Sequence, residues 1–133
     1  MQVKIDTALL NNLTEQAKAS PRLRMNYDLR TSSEDSSQRM LNAIEPESVV
    51  PVHRHKKTSE TMVVLRGSLV EEFYDDAGIC MERIEMSAGS DLCLLNIPAG
   101  TWHTLRSLES GTVILEMKDG AFEPIAAEDV MTL

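Results

Sequence analysis

The sequence is poorest in what would place it outside the class of small soluble domains. No apolar run approaches the ~20 residues that a bilayer-spanning helix needs, and so no membrane role is expected. Cysteine is nearly absent: Cys80 and Cys93 stand in no recognisable spacing, and two cysteines make no disulfide framework. The opening Met1-Gln2-Val3-Lys4-Ile5-Asp6 lacks the apolar core and small-residue cleavage site of a signal peptide. A reduced, cytoplasmic setting is the expectation. Positive charge is also short. With a net charge of −8 and a pI of about 4.8, attraction to nucleic acid or anionic lipid is disfavoured. Long linkers, low-complexity tracts and internal repeats are missing, and the five prolines and six glycines fall mostly at strand ends. What is present is ordinary globular material, 42% apolar and 26% charged over 133 residues, enough for one domain with one real core.

Residues 6–19 read as a helix. Asp6 is its N-cap, Ile5 is placed to staple against Leu10, and Ser20-Pro21 ends it. Leu9, Leu10, Leu13 and Ala17 form one apolar stripe, suited to covering one mouth or side of a barrel. Arg22 and Arg24 alternate with Leu23 and Met25 as in an edge strand, followed by a Ser-rich loop to residue 37. From residue 38 the period switches to two. Gln38, Met40 and Asn42 share one face of a strand and Arg39, Leu41 and Ala43 the other; alternation alone does not say which face looks inward. Strands are expected over 61–66 and 68–74, paired across Gly67, then 79–86, 92–97, 103–107 and 112–118, with Asp75-Asp76-Ala77-Gly78 as a turn. Many short strands after one helix argue for an antiparallel barrel or sandwich.

Histidine carries the chemistry. The chain has three. His53 and His55 are two apart, so on an extended strand both imidazoles leave one face. Glu60 follows at the head of the β-branched run Thr61-Met62-Val63-Val64-Leu65, which Gly67 ends. The third histidine closes Pro98-Ala99-Gly100-Thr101-Trp102-His103. Three imidazoles and one carboxylate suit a divalent transition metal.

The spacing His-x-His-x4-Glu-x6-Gly, then Pro-x-Gly-x2-His, resembles the two motifs of the cupin superfamily, falling on His53, His55, Glu60, Gly67, Pro98, Gly100 and His103. Two motif positions differ, Glu47 for a glycine and Ser107 for an asparagine; neither is a ligand position. The resemblance implies a mainly β, single-domain cupin. That is an antiparallel barrel of the double-stranded β-helix, or jelly-roll, type with an N-terminal helix. Residues 1–21 would form the helical cover and residues 22–133 the barrel. It also implies one divalent metal ion (Zn, Fe, Mn or Ni) held by His53, His55, Glu60 and His103.

Further residues narrow the resemblance. Arg24-Met25-Asn26-Tyr27-Asp28-Leu29, the run Gln38 to Pro46, the turn ending at Gly78, and Glu116-Met117-Lys118-Asp119-Gly120 are similar to the WbuC family of cupin-fold metalloproteins. Arg30 stands where a histidine is expected, and Gly120-Ala121-Phe122 where Gly-Pro-Tyr is expected. That family accompanies polysaccharide and amino-sugar biosynthesis, implying a sugar-related role; kinship with single-domain cupins implies a homodimer.

Around the ion, Asn26, Gln38, Arg39 and Glu116 are the candidate substrate contacts, and Arg22, Arg24 and Arg30 would meet any phosphate or carboxylate. Trp102 is expected to pack on the opposite side of its strand from His103. The first functional expectation is a metal-dependent enzyme, an isomerase, lyase or oxygenase, acting on a small polar molecule. The second is a non-catalytic module binding a small ligand through the metal. A metal-free sugar epimerase would need a His–Asp base pair, while every histidine here already belongs to the metal motif.

Overall fold

The computed structural model describes residues 1–132. Helix α1 (Thr7–Ala19) is capped by Asp6, whose Oδ1 accepts from the Leu9 backbone N–H at 2.9 Å. Eight strands follow: β1 (Arg24–Asp28), β2 (Gln38–Ile44), β3 (Glu60–Arg66), β4 (Ser68–Tyr74), β5 (Cys80–Ser87), β6 (Leu94–Ile97), β7 (Trp102–Ser107) and β8 (Val113–Lys118). All pair antiparallel, in a five-stranded sheet ordered β1-β2-β8-β3-β6 and a three-stranded sheet ordered β5-β4-β7. Two such sheets closed over one interior, with one α-helix among the described residues outside, make the cupin fold that the motif spacing implies. No helix among the described residues is long and apolar enough to cross a membrane.

Period-two alternation on β2 and β8 resolves into two environments. Leu41, Ala43 and Val113 face α1 and bury against Leu13 and Ala17. Ile44 and Ile114 instead join Met62, Val64, Leu69, Met86 and Ile97 between the sheets. The helix therefore covers the outer side of the larger sheet, not a mouth of the barrel.

Two expectations are corrected. Strands β3 and β4 do not pair across Gly67: β3 bonds to β6 and β8, whereas β4 bonds to β5 and β7. Gly67, at φ +84°, is the corner where the chain changes sheets, and a Cβ there would lie 2.7 Å from the Thr112 Cα. Only glycine fits both the backbone angle and the approach. The histidine pair, likewise, does not ride a regular strand. Among the described residues its β-pairing is limited to isolated bridges, from His53 to His103 and to Val130.

Candidate metal centre

His53 and His103 hold each other in place through their backbones. The His53 N–H donates to the His103 carbonyl at 3.0 Å, and the His103 N–H to the His53 carbonyl at 2.9 Å. Two residues on, the His55 carbonyl accepts from the Gly100 N–H at 2.8 Å, tying the second imidazole to the turn that leads into β7. Glu60 opens β3, set between Ile97 of β6 and Lys118 of β8. Residues far apart in sequence thus arrive at one point inside the barrel.

One ligand nitrogen from each histidine lies within 4.8 Å of the others. Such a set needs only to draw inward to reach the ~2.0–2.1 Å nitrogen–metal distance typical of zinc. The His53 Nδ1 lies 2.8 Å from the Pro51 carbonyl; donation there makes Nε2 the free lone pair. Glu60 approaches from the other side, its Oε2 3.2 Å from His103 Nε2 and 4.0 Å from His55 Nε2. That oxygen is buried with no hydrogen-bond partner among the described residues. A buried acceptor facing imidazole nitrogens, otherwise unmatched, is the donor set an imidazole- and carboxylate-binding cation requires. His103 Nδ1 is also unpartnered among the described residues, so none of them orients that ring through it.

Electrostatics agree with neutral nitrogen ligands. Burial lowers all three imidazoles, His55 to about 4 with help from Lys118, and His103 to about 3 with help from His53 and His55. These shifts favour the unprotonated imidazole, the form a metal binds. Burial, then the nearby Glu116, raises the Glu60 carboxyl well above its ordinary range; a bound cation would reverse that shift.

The histidines open onto a cavity of about 610 Å³. Asn26, Gln38 and Glu116 line it, so three of the four expected substrate contacts border the cavity that the histidines open onto. Arg39 does not. It lies on the α1 side of β2 and donates to the carbonyls of Ser37 and Leu29 and to Asp35 Oδ2. Of the expected anion contacts, Arg24 borders the cavity, while Arg30 forks onto Asp28 and Arg22 lies outside. Trp102 packs as expected, donating from Nε1 to Asp76 at 2.9 Å beneath the Arg54 guanidinium, 4.4 Å from its ring.

Two features are additional to the sequence reading. Residues 119–126 wall one side of the cavity, fastened where Gln38 Nε2 donates to the Gly120 carbonyl at 2.7 Å and Arg54 Nε to Asp129 at 2.8 Å. Glu71 lies inside, 1% exposed, its Oε2 unpartnered. Burial, then Glu60, Glu116 and Glu72, pushes its carboxyl up to about 9. The signal was present: Leu69, Glu71 and Phe73 alternate on one face of β4, and both apolar members belong to the interior.

Solved structures share this architecture at low sequence identity. Recombinant oxalate oxidase in complex with glycolate superposes with a TM-score of 0.65 and 14% identity, over 82% of this chain and 57% of that one. KdgF from Halomonas sp. gives 0.60 and 14%, over 78% and 84%. The capsular polysaccharide assembling protein CapF from Staphylococcus aureus gives 0.63 and 23%, over 86% and 32%. The chain thus spans little more than half of the oxalate oxidase and a third of CapF. These likenesses establish the cupin fold. No curated protein matches the chain in sequence. Residues 5–86, more than half of the chain, match the family described as a domain of unknown function, DUF6016, and the chain belongs to that family.

Proposed function

We propose that this protein is a metal-dependent enzyme acting on a small, polar, sugar-related molecule, and that it is a WbuC-type cupin. The observation that carries the proposal is the convergence of His53, His55 and His103 beside the unpartnered Glu60 oxygen at a roomy cavity. These four residues would hold one divalent ion; Fe, Mn, Ni and Zn all suit imidazole and carboxylate. Bound there, such an ion supplies Lewis-acid or oxygen chemistry. The chain's own residues do the rest. Burial keeps the imidazoles neutral, and Asn26, Gln38 and Glu116 present amide and carboxylate groups that orient a polar substrate. The sugar-related part is supported by the sequence resemblance and by the likeness to CapF, a capsular polysaccharide assembling protein. Kinship with single-domain cupins supports a homodimer, with residues 1–21 as helical cover and 22–133 as barrel.

The test is elemental analysis of protein purified without a histidine tag or chelator, beside His103→Ala, followed by turnover against a panel of sugar nucleotides. About one ion per chain, lost in the variant, together with turnover, is expected. A stoichiometric ion without turnover would make the protein a metal-anchored binding module. Absence of any ion after reconstitution would overturn the proposal.

A further inference from the structure

Adjacent glutamates on β4 have opposite fates. Glu72 faces outward and accepts from Arg83 Nε at 2.7 Å. Glu71, in register with Ile84 and Leu105, faces the cavity and meets no cation or hydrogen-bond donor at its Oε2 among the described residues. Across the interior, Asn42 repeats the pattern. Its Nδ2 donates to Glu116 Oε1 at 3.4 Å, which leaves Oδ1 as a buried acceptor without a partner. Buried polar groups in native proteins are almost always satisfied, so these two, beyond the Glu60 oxygen and His103 Nδ1 at the histidine group, point to a ligand that matches them.

The charges around the cavity restrict what that ligand is. Its cations already have partners: Arg24 donates to the neutral Val49 carbonyl at 2.8 Å, Arg54 to Asp129 at 2.8 Å, Lys56 to Glu128 at 2.8 Å and Lys57 to Glu123 at 3.5 Å. Lys118 sits 3.7 Å from Glu116. A small dicarboxylate brings only acceptors and leaves the Asn42 oxygen unmatched. A hydroxyl both donates and accepts, so it satisfies the Glu71 carboxyl whether or not that group carries a proton, and the Asn42 oxygen as well.

We infer that Glu71 and Asn42 are specificity-determining residues that bind neutral hydroxyl groups of a polyhydroxylated ligand, and that they disfavour small dicarboxylates. The inference rests on the cavity being the substrate site, as proposed above, and it deepens that reading by assigning residues to the ligand's hydroxyl face.

Titration calorimetry on the protein as purified, with glucose, N-acetylglucosamine, oxalate and malonate as probes, tests it. At least one of the sugars should bind more tightly than either dicarboxylate. Glu71→Leu and Asn42→Leu should each weaken sugar binding about tenfold, the scale of one lost hydrogen bond to a polar ligand group, with metal per chain unchanged. Glu71→Gln keeps an acceptor oxygen and should recover part of the loss. Tighter binding of a dicarboxylate, no sugar binding, or leucine variants that bind sugar like the parent would each overturn the inference. Metal analysis on the same samples separates it from the broader proposal. An ion-free chain that binds sugar through Glu71 would sink the metalloenzyme alone. A metal-loaded chain indifferent to both leucine substitutions would sink only the hydroxyl assignment.

Discussion

The barrel interior has two halves built from the same strands. In one, Ile44, Met62, Val64, Leu69, Met86, Ile97 and Ile114 pack together with almost no exposed surface. In the other, His53, His55, His103, Glu60, Glu71 and Glu116 surround a cavity. Strand β4 contributes Leu69 to the first and Glu71 to the second; β8 contributes Ile114 and Glu116; β3 contributes Met62 and Glu60. One step of two residues along a strand crosses from a region that stabilises the fold to one that costs stability. The apolar half gains from burial. The polar half leaves acceptors unmatched, which is unfavourable unless something binds there. The frame holds the site, and the site does not hold the frame.

The largest expected effect lies in the apolar half. Leu69→Ala should lower the unfolding free energy by about 2–5 kcal/mol, since a fully buried leucine leaves a void that its neighbours only partly fill. Urea unfolding checks the loss, and metal per folded chain should be unchanged. If the two halves failed together, the division between frame and site would be wrong.

His103→Ala should do the reverse: loss of about one ion per chain by elemental analysis, with the unfolding free energy of the ion-free protein moved by only about 1 kcal/mol. A collapse of the fold would instead make His103 a structural residue.

A subtler difference should appear with pH. The Glu71 carboxyl is raised in the folded protein from an ordinary 4.5 to about 9. Between those values the folded chain keeps a proton that the unfolded chain has released. Stability attributable to this group is therefore greatest at and below pH 4.5 and declines as pH rises toward 9. Melting curves across that range should show Glu71→Gln with a shallower decline and a higher Tm at pH 8. Equal slopes for parent and variant would mean that Glu71 is ionised in the fold.

Least affected should be Arg39→Ala. Its guanidinium ties the 29–37 loop to β2 through Leu29 and Asp35, a part-exposed contact worth at most about 1 kcal/mol. Metal content and sugar binding should match the parent; a changed ligand profile would bring Arg39 back to the cavity.

Much of the site was legible because it is written at fixed short spacing. His53 and His55 at a spacing of two, Glu60 at the head of a β-branched run, and His103 after a Pro-x-Gly turn all converge. Glu71 escaped because a glutamate beside another glutamate reads as solvated surface; only the company of Leu69 and Phe73 on its own face betrayed it. Arg39 and Gln38 were equal candidates on opposite faces of β2.

By itself the sequence determined the helix and its cap, the strand order along the chain, the turn at Gly78 and the histidine motif, because each depends on residues within a few positions of one another. Tertiary structure alone decided that Gly67 is a corner between sheets, that Gln38 and not Arg39 faces the cavity, and that Glu71 is enclosed. Period two gives a strand two faces and no inside. Which face is inside depends on where α1 docks and how the sheets close, and both are settled by contacts between residues far apart in the chain.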